Sequence, residues 1–145
     1  MFRQVTIIGP GLLGGSLSLA VKKMHLSEEL VIWVRSQKSI NKAVQTFPFA
    51  RIEKGLEESV RGSDLIIICT PVETIGDILK QIKPFLGENS LVTDVGSIKG
   101  SICNIAQETL GDSMASFIGS HPMAGSEKSG MEFSDPMLFM NRACI

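Results

Sequence analysis

Apolar residues in this chain alternate between short continuous runs and longer stretches with helical spacing. The runs predict β-strands at residues 3–8, 30–34, 50–52, 65–69, 91–93 and 116–119, and residues 142–145 resemble the start of one more. The stretches between them predict helices at residues 11–24, 38–46, 56–60, 71–84 and 98–110. Strands that alternate with helices in this way are typical of βαβ units. We therefore expect an α/β fold with a doubly wound, mostly parallel Rossmann-type sheet and helices on both faces.

The same pattern predicts which faces are buried. Residues 65–69 are apolar throughout, as in strands that helices cover on both sides of a parallel sheet. Stripes with i, i+3, i+4 spacing predict buried faces on two helices, formed by Leu17, Ala20, Val21 and Met24 on the first and by Ile75, Ile78, Leu79 and Ile82 on the fourth. In such a sheet the carboxyl ends of the strands lie along one edge, where ligands bind.

Composition narrows the functional classes. The 145 residues are 43% hydrophobic and 20% charged, which fits one domain with a packed core. A net charge of -1 removes the electrostatic reason to expect a nucleic acid or an anionic membrane as partner. No apolar run approaches the ~20 residues that span a bilayer, and the amino terminus lacks the pattern of a signal peptide. Three separated cysteines and two histidines form no ligand cluster, so we expect a cytoplasmic protein without a disulfide framework or a metal site.

The sequence Gly-Pro-Gly-Leu-Leu-Gly after the first strand matches the G-x-G-x-x-G pattern of dinucleotide-binding proteins. The pattern alone is weak, but here it follows a predicted strand and opens a predicted helix inside a βαβ unit. Gly9 permits the tight turn, Gly11 lets the backbone approach a pyrophosphate, and Gly14 allows close packing of helix on strand. Leu12 and Leu13, the next helical residues, offer free N–H groups at the positive end of the helix dipole. The alternative is a turn that needs glycine for its geometry alone.

The end of the second strand bears on the choice of cofactor. NAD-binding units carry Asp or Glu about 20 residues after the glycines, where the carboxylate holds the ribose 2′-OH. That place falls on Val34, Arg35 and Ser36, and the nearest acids, at positions 28 and 29, precede the predicted strand. Arg35 can pair with a 2′-phosphate, Ser36 can donate a hydrogen bond and Lys38 adds charge, so we expect NADP. The alternative is an NAD site beside which Arg35 is a solvated surface residue.

Two further segments follow predicted strands and should lie on the ligand-binding edge. They are Thr-Asp-Val-Gly-Ser-Ile-Lys-Gly at residues 93–100 and Ile-Gly-Ser-His-Pro-Met-Ala-Gly-Ser-Glu-Lys-Ser-Gly at residues 118–130. Loops at this edge carry chemistry, and His121 lies in one of them, between a strand and Pro122. Its position alone leaves a functional and a structural role equally open.

With the glycine sequence and Ile-Cys-Thr-Pro-Val at residues 68–72, these two segments resemble the prephenate and arogenate dehydrogenases, oxidoreductases of tyrosine biosynthesis. The resemblance spans residues 5–130, and it is most specific in the second pair of segments. It implies an NAD(P)-dependent oxidative decarboxylation of prephenate or arogenate. A hydride leaves ring C4 of the substrate for the nicotinamide, CO2 leaves C1, and the ring becomes aromatic.

The resemblance also assigns catalytic roles. His121 corresponds to the family's catalytic histidine, which takes the proton of the C4 hydroxyl, and an imidazole suits such a task. Ser97 corresponds to the serine that binds the same oxygen and helps to orient the histidine. Asp94 and Lys99 flank Ser97, but a helix-capping or surface position is an equal alternative for both.

Other residues are assigned to the walls of the site. By the same resemblance, Thr70 and Pro71 fall at the nicotinamide side of the cofactor, where Ile75 would help to shield the ring from water. Ser126 and Glu127 correspond to positions on the substrate side, near its entrance. The substrate is expected to be a small molecule, with no nucleic acid or membrane as partner.

Members of the family continue into an all-helical domain that completes the substrate pocket, supplies an arginine for the substrate carboxylate and forms a homodimer. The present sequence ends at Ile145, so we expect residues 1–145 to be the dinucleotide-binding domain of a longer enzyme, inactive and not dimeric without that domain. Two alternatives stay open. One is another NADP oxidoreductase of this architecture, such as a 3-hydroxyacid dehydrogenase or an imine reductase. The other is a module that binds NADP without catalysis.

Overall fold

Strands and helices alternate along the chain in the computed structural model, which describes residues 1–111 and 117–145. The strands are β1 (Phe2–Ile8), β2 (Ser27–Trp33), β3 (Arg51–Glu53), β4 (Leu65–Ile68), β5 (Leu91–Asp94) and β6 (Phe117–Ile118). The helices are α1 (Leu12–Lys23), α2 (Gln37–Thr46), α3 (Leu56–Val60), α4 (Val72–Ile82) and α5 (Lys99–Leu110). Each lies where the sequence predicts an element; Ser116, the predicted start of the last strand, is outside the described residues. None of these helices is long and apolar enough to cross a membrane.

All six strands pair in parallel, in the order β3-β2-β1-β4-β5-β6. The central strand is β1, in which Val5 lies opposite Leu30 of β2 and Leu65 of β4. The chain runs outward from β1 to β3 on one side and from β4 to β6 on the other. This arrangement confirms the predicted doubly wound Rossmann fold. Between β1 and β4, where the direction reverses, the connecting segments diverge and leave a crevice at the carboxyl edge.

The start of β2 differs from the prediction. This strand begins at Ser27, so Glu28 and Glu29 lie within it rather than before it. They belong to the strand because Glu29 pairs with Gln4 of β1 and because the Arg51 guanidinium holds the Glu29 carboxylate at 2.7 Å. Both acids still lie at the amino end of the strand, away from the ligand-binding edge.

The last residues of the chain do not join the sheet, so the prediction of a further strand at residues 142–145 is wrong. Cys144 instead forms an isolated antiparallel bridge with Pro122. The N–H of His121 donates to the carbonyl of Ile145 at 2.7 Å, and the N–H of Ile145 donates back at 3.0 Å. The backbone N–H and C=O groups of this segment form hydrogen bonds with the loop after β6 rather than with a strand at the edge of the sheet.

Two apolar clusters fill the space between the sheet and the helices on its two sides. One cluster contains the predicted stripe of α4, which is buried: Ile75, Ile78, Leu79 and Ile82. The stripe predicted for α1 is confirmed at Val21, which is buried, and at Leu17, which packs against the core, but it is wrong at Met24, which is exposed. The other buried residues of this helix are small and include Gly14 and Ser18. A Cβ added to Gly14 would overlap the carbonyl oxygen of Gly9. The helix therefore approaches the strands through its small residues rather than through its large apolar ones.

A buried polar network sits on one face of β1, against α3. The Gln4 amide donates to Ser63 Oγ at 2.6 Å and to the carbonyl of Ser59 at 3.2 Å. The Thr6 hydroxyl donates to the same Ser59 carbonyl at 2.7 Å and lies 2.6 Å from Ser63 Oγ. All four side chains are buried, so the network provides the hydrogen bonds that they would otherwise lack.

Candidate active site

The glycine turn (residues 9–14) connects β1 to α1 in a geometry that only glycine satisfies at two of its positions. Gly9 has a φ of +91°, and a Cβ there would lie 2.7 Å from Thr70 Cγ2. Gly14 is buried against the turn itself, as its predicted packing role requires. Gly11 faces open space, since a Cβ there would meet nothing within 4 Å.

This turn fits a pyrophosphate. Gly11 is the N-cap of α1 and brings no side chain to the helix end. Leu12 and Leu13 begin the helix, where backbone N–H groups have no partner within the helix itself. Free N–H groups, a positive dipole end and an uncovered glycine surface together suit the close approach of phosphate oxygens.

A cavity of about 900 Å³ extends from the glycine turn along the carboxyl edge of the sheet. The predicted cofactor residues on its wall are Gly9, Gly11, Arg35, Ser36, Thr70 and Pro71. Ile75 is not on the wall, because it is fully buried in the core between α4 and the sheet. The expectation that Ile75 shields the nicotinamide is therefore corrected: α4 presents Thr74, Ile78 and Gln81 to the cavity instead. None of these three was among the predicted cofactor residues.

Some of the charged side chains on the cavity wall form ion pairs and others do not. Three cations line it, Arg35, Lys38 and Lys42, together with the carboxylates of Asp77 and Glu132. Lys42 Nζ lies 2.7 Å from Glu132, and this ammonium lowers the pKa of the Glu132 carboxyl from its usual value. Within residues 1–111 and 117–145, no carboxylate is paired with Arg35 or Lys38. The wall beyond β2 therefore offers positive charge to an anion.

Cys69 also lines the cavity, at the end of β4. Burial raises the pKa of its thiol, and the Asp94 carboxylate raises it further. The thiol is therefore protonated at neutral pH and is a poor nucleophile. Among the described residues, no group of three His, Cys, Asp or Glu side chains could hold a metal ion.

A segment beyond the histidine motif returns to the glycine turn; we call residues 129–135 the return segment. Its first part, from Ser129 to Glu132, lines the cavity. Its second part docks on α1, where the N–H of Asp135 donates to Ser16 Oγ at 2.9 Å. A Cβ on Gly15 would overlap the Ser134 hydroxyl. The Gly-Ser pair that follows the glycine turn was the sequence signal for this contact, and it was missed.

The loops after β5 and β6 are tied together by polar groups. Asp94, the last residue of β5, is fully buried, and its carboxylate accepts hydrogen bonds from Lys99 Nζ, from the N–H of Gly96 at 2.7 Å and from the N–H of Ser120 at 3.3 Å. Lys99 Nζ also donates to the carbonyl of Ser120 at 2.8 Å. The Ser120 hydroxyl donates to the carbonyl of Asp94 at 2.6 Å. Neither alternative holds for Asp94, because it is not a surface residue and because Ile98 occupies the N-cap position of α5, with no side-chain hydrogen bond to the helix end.

The two predicted catalytic residues lie on these loops. Ser97 is exposed in the loop after β5, and His121 is half-buried directly after Ser120. Neither lies on the wall of the large cavity. Ser126 and Glu127 are exposed further along the chain, and Ser126 Oγ accepts a hydrogen bond from the N–H of Lys128 at 3.2 Å. The carboxyl edge thus holds both the cavity at the glycine turn and the loops that carry Ser97 and His121.

Comparison with known proteins decides the family. Residues 17–145 match the family model described as "Prephenate dehydrogenase, nucleotide-binding domain". The chain belongs to the prephenate dehydrogenase family. The resemblance noted in its motifs is thereby confirmed.

Individual relatives agree with this assignment. The prephenate dehydrogenase of Lactococcus lactis is 35% identical over 140 residues, which cover 96% of this chain and 39% of that protein. The crystal structure of Aquifex aeolicus prephenate dehydrogenase with hydroxyphenyl propionate and NAD+ matches with a TM-score of 0.88 and 29% identity, over 99% of this chain and 50% of that one. Synechocystis arogenate dehydrogenase matches with a TM-score of 0.86 and 28% identity, over 97% and 48%. The chain thus spans half or less of the length of these relatives.

Proposed function

We propose that this chain is the dinucleotide-binding and catalytic part of an enzyme that oxidatively decarboxylates prephenate or arogenate. The observation that carries the proposal is the course of residues 121–132. They begin at His121, beside the Ser97 loop, and reach the wall of the dinucleotide cavity at Ser129–Glu132. One continuous segment therefore links the candidate base to the cofactor site. Relatives named as prephenate and arogenate dehydrogenases support the reaction type.

The chain's own residues supply binding and proton transfer. A nicotinamide dinucleotide, when bound, supplies the ring that accepts a hydride from the substrate. The glycine turn binds the pyrophosphate through the first N–H groups of α1. His121 accepts the proton of the substrate hydroxyl, so that the oxygen can form a carbonyl as the hydride leaves carbon. Ser97 donates a hydrogen bond to the same oxygen and orients it toward the imidazole, and loss of CO2 leaves an aromatic ring.

The test of this proposal is His121→Asn in the protein expressed from its complete reading frame. Asparagine keeps hydrogen-bonding capacity but cannot take the proton, so kcat should fall by about 10²–10⁴-fold while the Kd of the dinucleotide stays unchanged. The matched control is His25→Asn. His25 is exposed with a φ of 51°, a conformation that asparagine adopts readily, so this variant should keep wild-type kcat. Equal kcat for wild type and His121→Asn would refute the assignment of the base.

We further propose that the cofactor is NADP rather than NAD, with Arg35 as the main determinant. Two observations on the described residues support this. Arg35 and Lys38 lie on the cavity wall without a carboxylate partner, and no acid lies at the end of β2. Charge-assisted hydrogen bonds to a 2′-phosphate are worth about 1.5–3 kcal/mol, or roughly 10–150-fold in affinity. The alternative is NAD, which the structure of the Aquifex aeolicus relative contains.

Calorimetric titration with NADP and with NAD distinguishes between the two cofactor assignments. Arg35→Asp should weaken NADP binding by at least roughly tenfold and leave NAD binding unchanged or stronger, because it removes a donor and adds a like charge. Arg61→Asp makes the same charge change beside Phe85, away from the cavity, and should alter neither affinity. Wild-type protein that binds NAD as tightly as NADP would overturn the proposal.

The domain organisation and assembly complete the proposal. We expect residues 1–145 to be the dinucleotide-binding domain, with a helical domain that completes the substrate pocket and forms a homodimer in the cytoplasm. The lengths of the relatives support this expectation. Light scattering of the complete protein, and of the 145-residue chain by itself, tests it: a dimer is expected only for the first.

A further inference from the structure

The candidate is the buried carboxylate between the two catalytic loops. Of the residues that are fully buried in the described parts of the chain, Asp94 is the one with a charged side chain. Burying a carboxylate is unfavourable unless it is paired and hydrogen-bonded. Its partners come from both loops: Gly96 and Lys99 on the β5 side and Ser120 on the β6 side.

The network fixes one loop against the other. Lys99 Nζ bridges the Asp94 carboxylate and the Ser120 carbonyl, while the Ser120 hydroxyl donates back to the Asp94 carbonyl. Ser97 lies inside the first loop, between two residues that bind Asp94. His121 directly follows Ser120. Asp94 and Lys99 therefore hold the hydrogen bonds that join the Ser97 loop to Ser120, the residue before His121.

Steric contacts restrict the first loop further. A Cβ on Gly96 would lie 2.5 Å from Ile102 Cδ1 and 3.0 Å from Asp94 Oδ2. The loop is thus pressed between the carboxylate and the first turns of α5.

Neither the helix end nor the pairing of the strands accounts for the pair. Lys99 is the first residue of α5, where a positive charge is unfavourable beside the positive end of the helix dipole. Asp94 does not cap that helix. The pairing of β5 with β6 is already made by the backbone, with Val92 opposite Phe117. What the pair adds is a fixed relation between the two loops.

We propose that Asp94, through its ion pair with Lys99, is a positioning residue that sets Ser97 and His121 in their working geometry. The inference rests on the proposed function, in which Ser97 and His121 hold the same substrate oxygen. A misplacement of ~1 Å in such a site costs on the order of 100-fold in rate. Asp94 acts through the two loops and touches neither substrate nor cofactor.

Kinetics of the complete protein test the proposal. Asp94→Asn and Lys99→Met should each lower kcat by about 10–100-fold, with unchanged KM for the dinucleotide. The double variant should be no slower than the slower single variant, because both substitutions break one unit. Lys99→Arg, which keeps the charge, should retain most of kcat.

A matched control distinguishes a loss of loop positioning from a loss of folding stability. Ser63→Ala removes a buried hydroxyl from the network beside β1, near the amino ends of the strands and away from the two loops. When kcat is calculated per folded molecule, this variant should keep the wild-type value. Wild-type kcat in Lys99→Met, a loss no larger than that of Ser63→Ala, or multiplying effects in the double variant would overturn the proposal. Lys99→Met keeps the test valid if Asp94→Asn does not fold, because the Asp94 carboxylate still accepts hydrogen bonds from the N–H groups of Gly96 and Ser120.

A second measurement does not depend on turnover. Hydrogen exchange read by mass spectrometry should become at least about tenfold faster in peptides over residues 94–100 and 117–123 of Asp94→Asn and Lys99→Met, and unchanged there in Ser63→Ala. If the wild type lacks the reaction, the proposed function fails, and unchanged exchange in both variants would refute the positioning role by itself. Faster exchange with unchanged kcat would equally refute it, because the loops would then not set the rate.

Discussion

Replacing Gly14 by alanine places a methyl group where the carbonyl oxygen of Gly9 already lies. The same methyl group would stand 3.1 Å from Cβ of Cys69, the residue directly after β4, so it has a backbone atom on one side and the end of a strand on the other. Neither neighbour is the flexible end of a side chain. The glycine turn or α1 must therefore shift to accommodate the substitution.

The magnitude follows from two opposing effects. Overpacking in a tightly packed interior costs about 1–3 kcal/mol, and the contact with a backbone oxygen favours the upper part of this range. Alanine regains about 1 kcal/mol of helix propensity relative to glycine. We expect a net loss of about 1–2 kcal/mol in the free energy of unfolding. In a domain of this size this lowers Tm by about 3–6 °C.

Two other glycines provide matched controls for thermal unfolding followed by circular dichroism. A Cβ on Gly100, in the first turn of α5, or on Gly11 would meet nothing within 4 Å. Gly100→Ala should raise Tm by a degree or two, corresponding to about 0.5 kcal/mol. Gly11→Ala should stay within about 1 kcal/mol of wild type but weaken dinucleotide binding by about tenfold or more, because its methyl group occupies the pyrophosphate surface. An unchanged or raised Tm for Gly14→Ala would refute the packing argument.

Other predictions concern the cavity wall. Ile75→Ala should cost about 2–5 kcal/mol in the free energy of unfolding and leave the Kd of the dinucleotide unchanged. Ile78→Ala should lower the free energy of unfolding and also raise the Kd, because Ile78 lies on the cavity wall. A changed Kd for Ile75→Ala by calorimetry would contradict its place in the core. With iodoacetamide at neutral pH, exposed Cys144 should be alkylated well before Cys69, because burial raises the pKa of the Cys69 thiol and keeps it protonated; equal rates by mass spectrometry would contradict this. Glu132→Gln should leave Tm unchanged and strengthen NADP but not NAD binding, because it frees a lysine on the wall; titration of both dinucleotides decides the point.

The features that the sequence predicts well have local causes. The glycine turn depends on a positive φ at Gly9 and on close packing at Gly14, and only glycine satisfies both, so the requirement is visible in the sequence. Continuous apolar runs likewise locate β4, because both of its faces are covered. The stripe of α4 predicts burial of Ile75, and this conflicts with its assignment to the cofactor wall. The stripe was correct, because helical spacing fixes which side of a helix faces the sheet.

The features that sequence analysis missed depend on contacts between distant segments. Asp94 and Ser120 meet only because β5 and β6 are neighbours in the sheet, and nothing in the local sequence around either residue indicates this contact. The return segment docks on Gly15 and Ser16, which follow the glycine turn and were attributed to α1 alone. The buried face of α1 was predicted from its large apolar residues, whereas close approach to the strands selects small ones.

The polar network on β1 has a consequence for strand alignment. From Val5 onward the central strand pairs with apolar residues of both neighbouring strands, and apolar clusters cover both faces of the sheet, so hydrophobic burial alone would tolerate a slip of β1 by one residue. Such a slip would carry Gln4 and Thr6 to the opposite face, away from the oxygens of Ser59 and Ser63. Each buried polar group left without a partner costs about 1–3 kcal/mol. Two polar side chains thus determine a single alignment for the strand that positions the glycine turn, and all the groups at the carboxyl edge are placed relative to it.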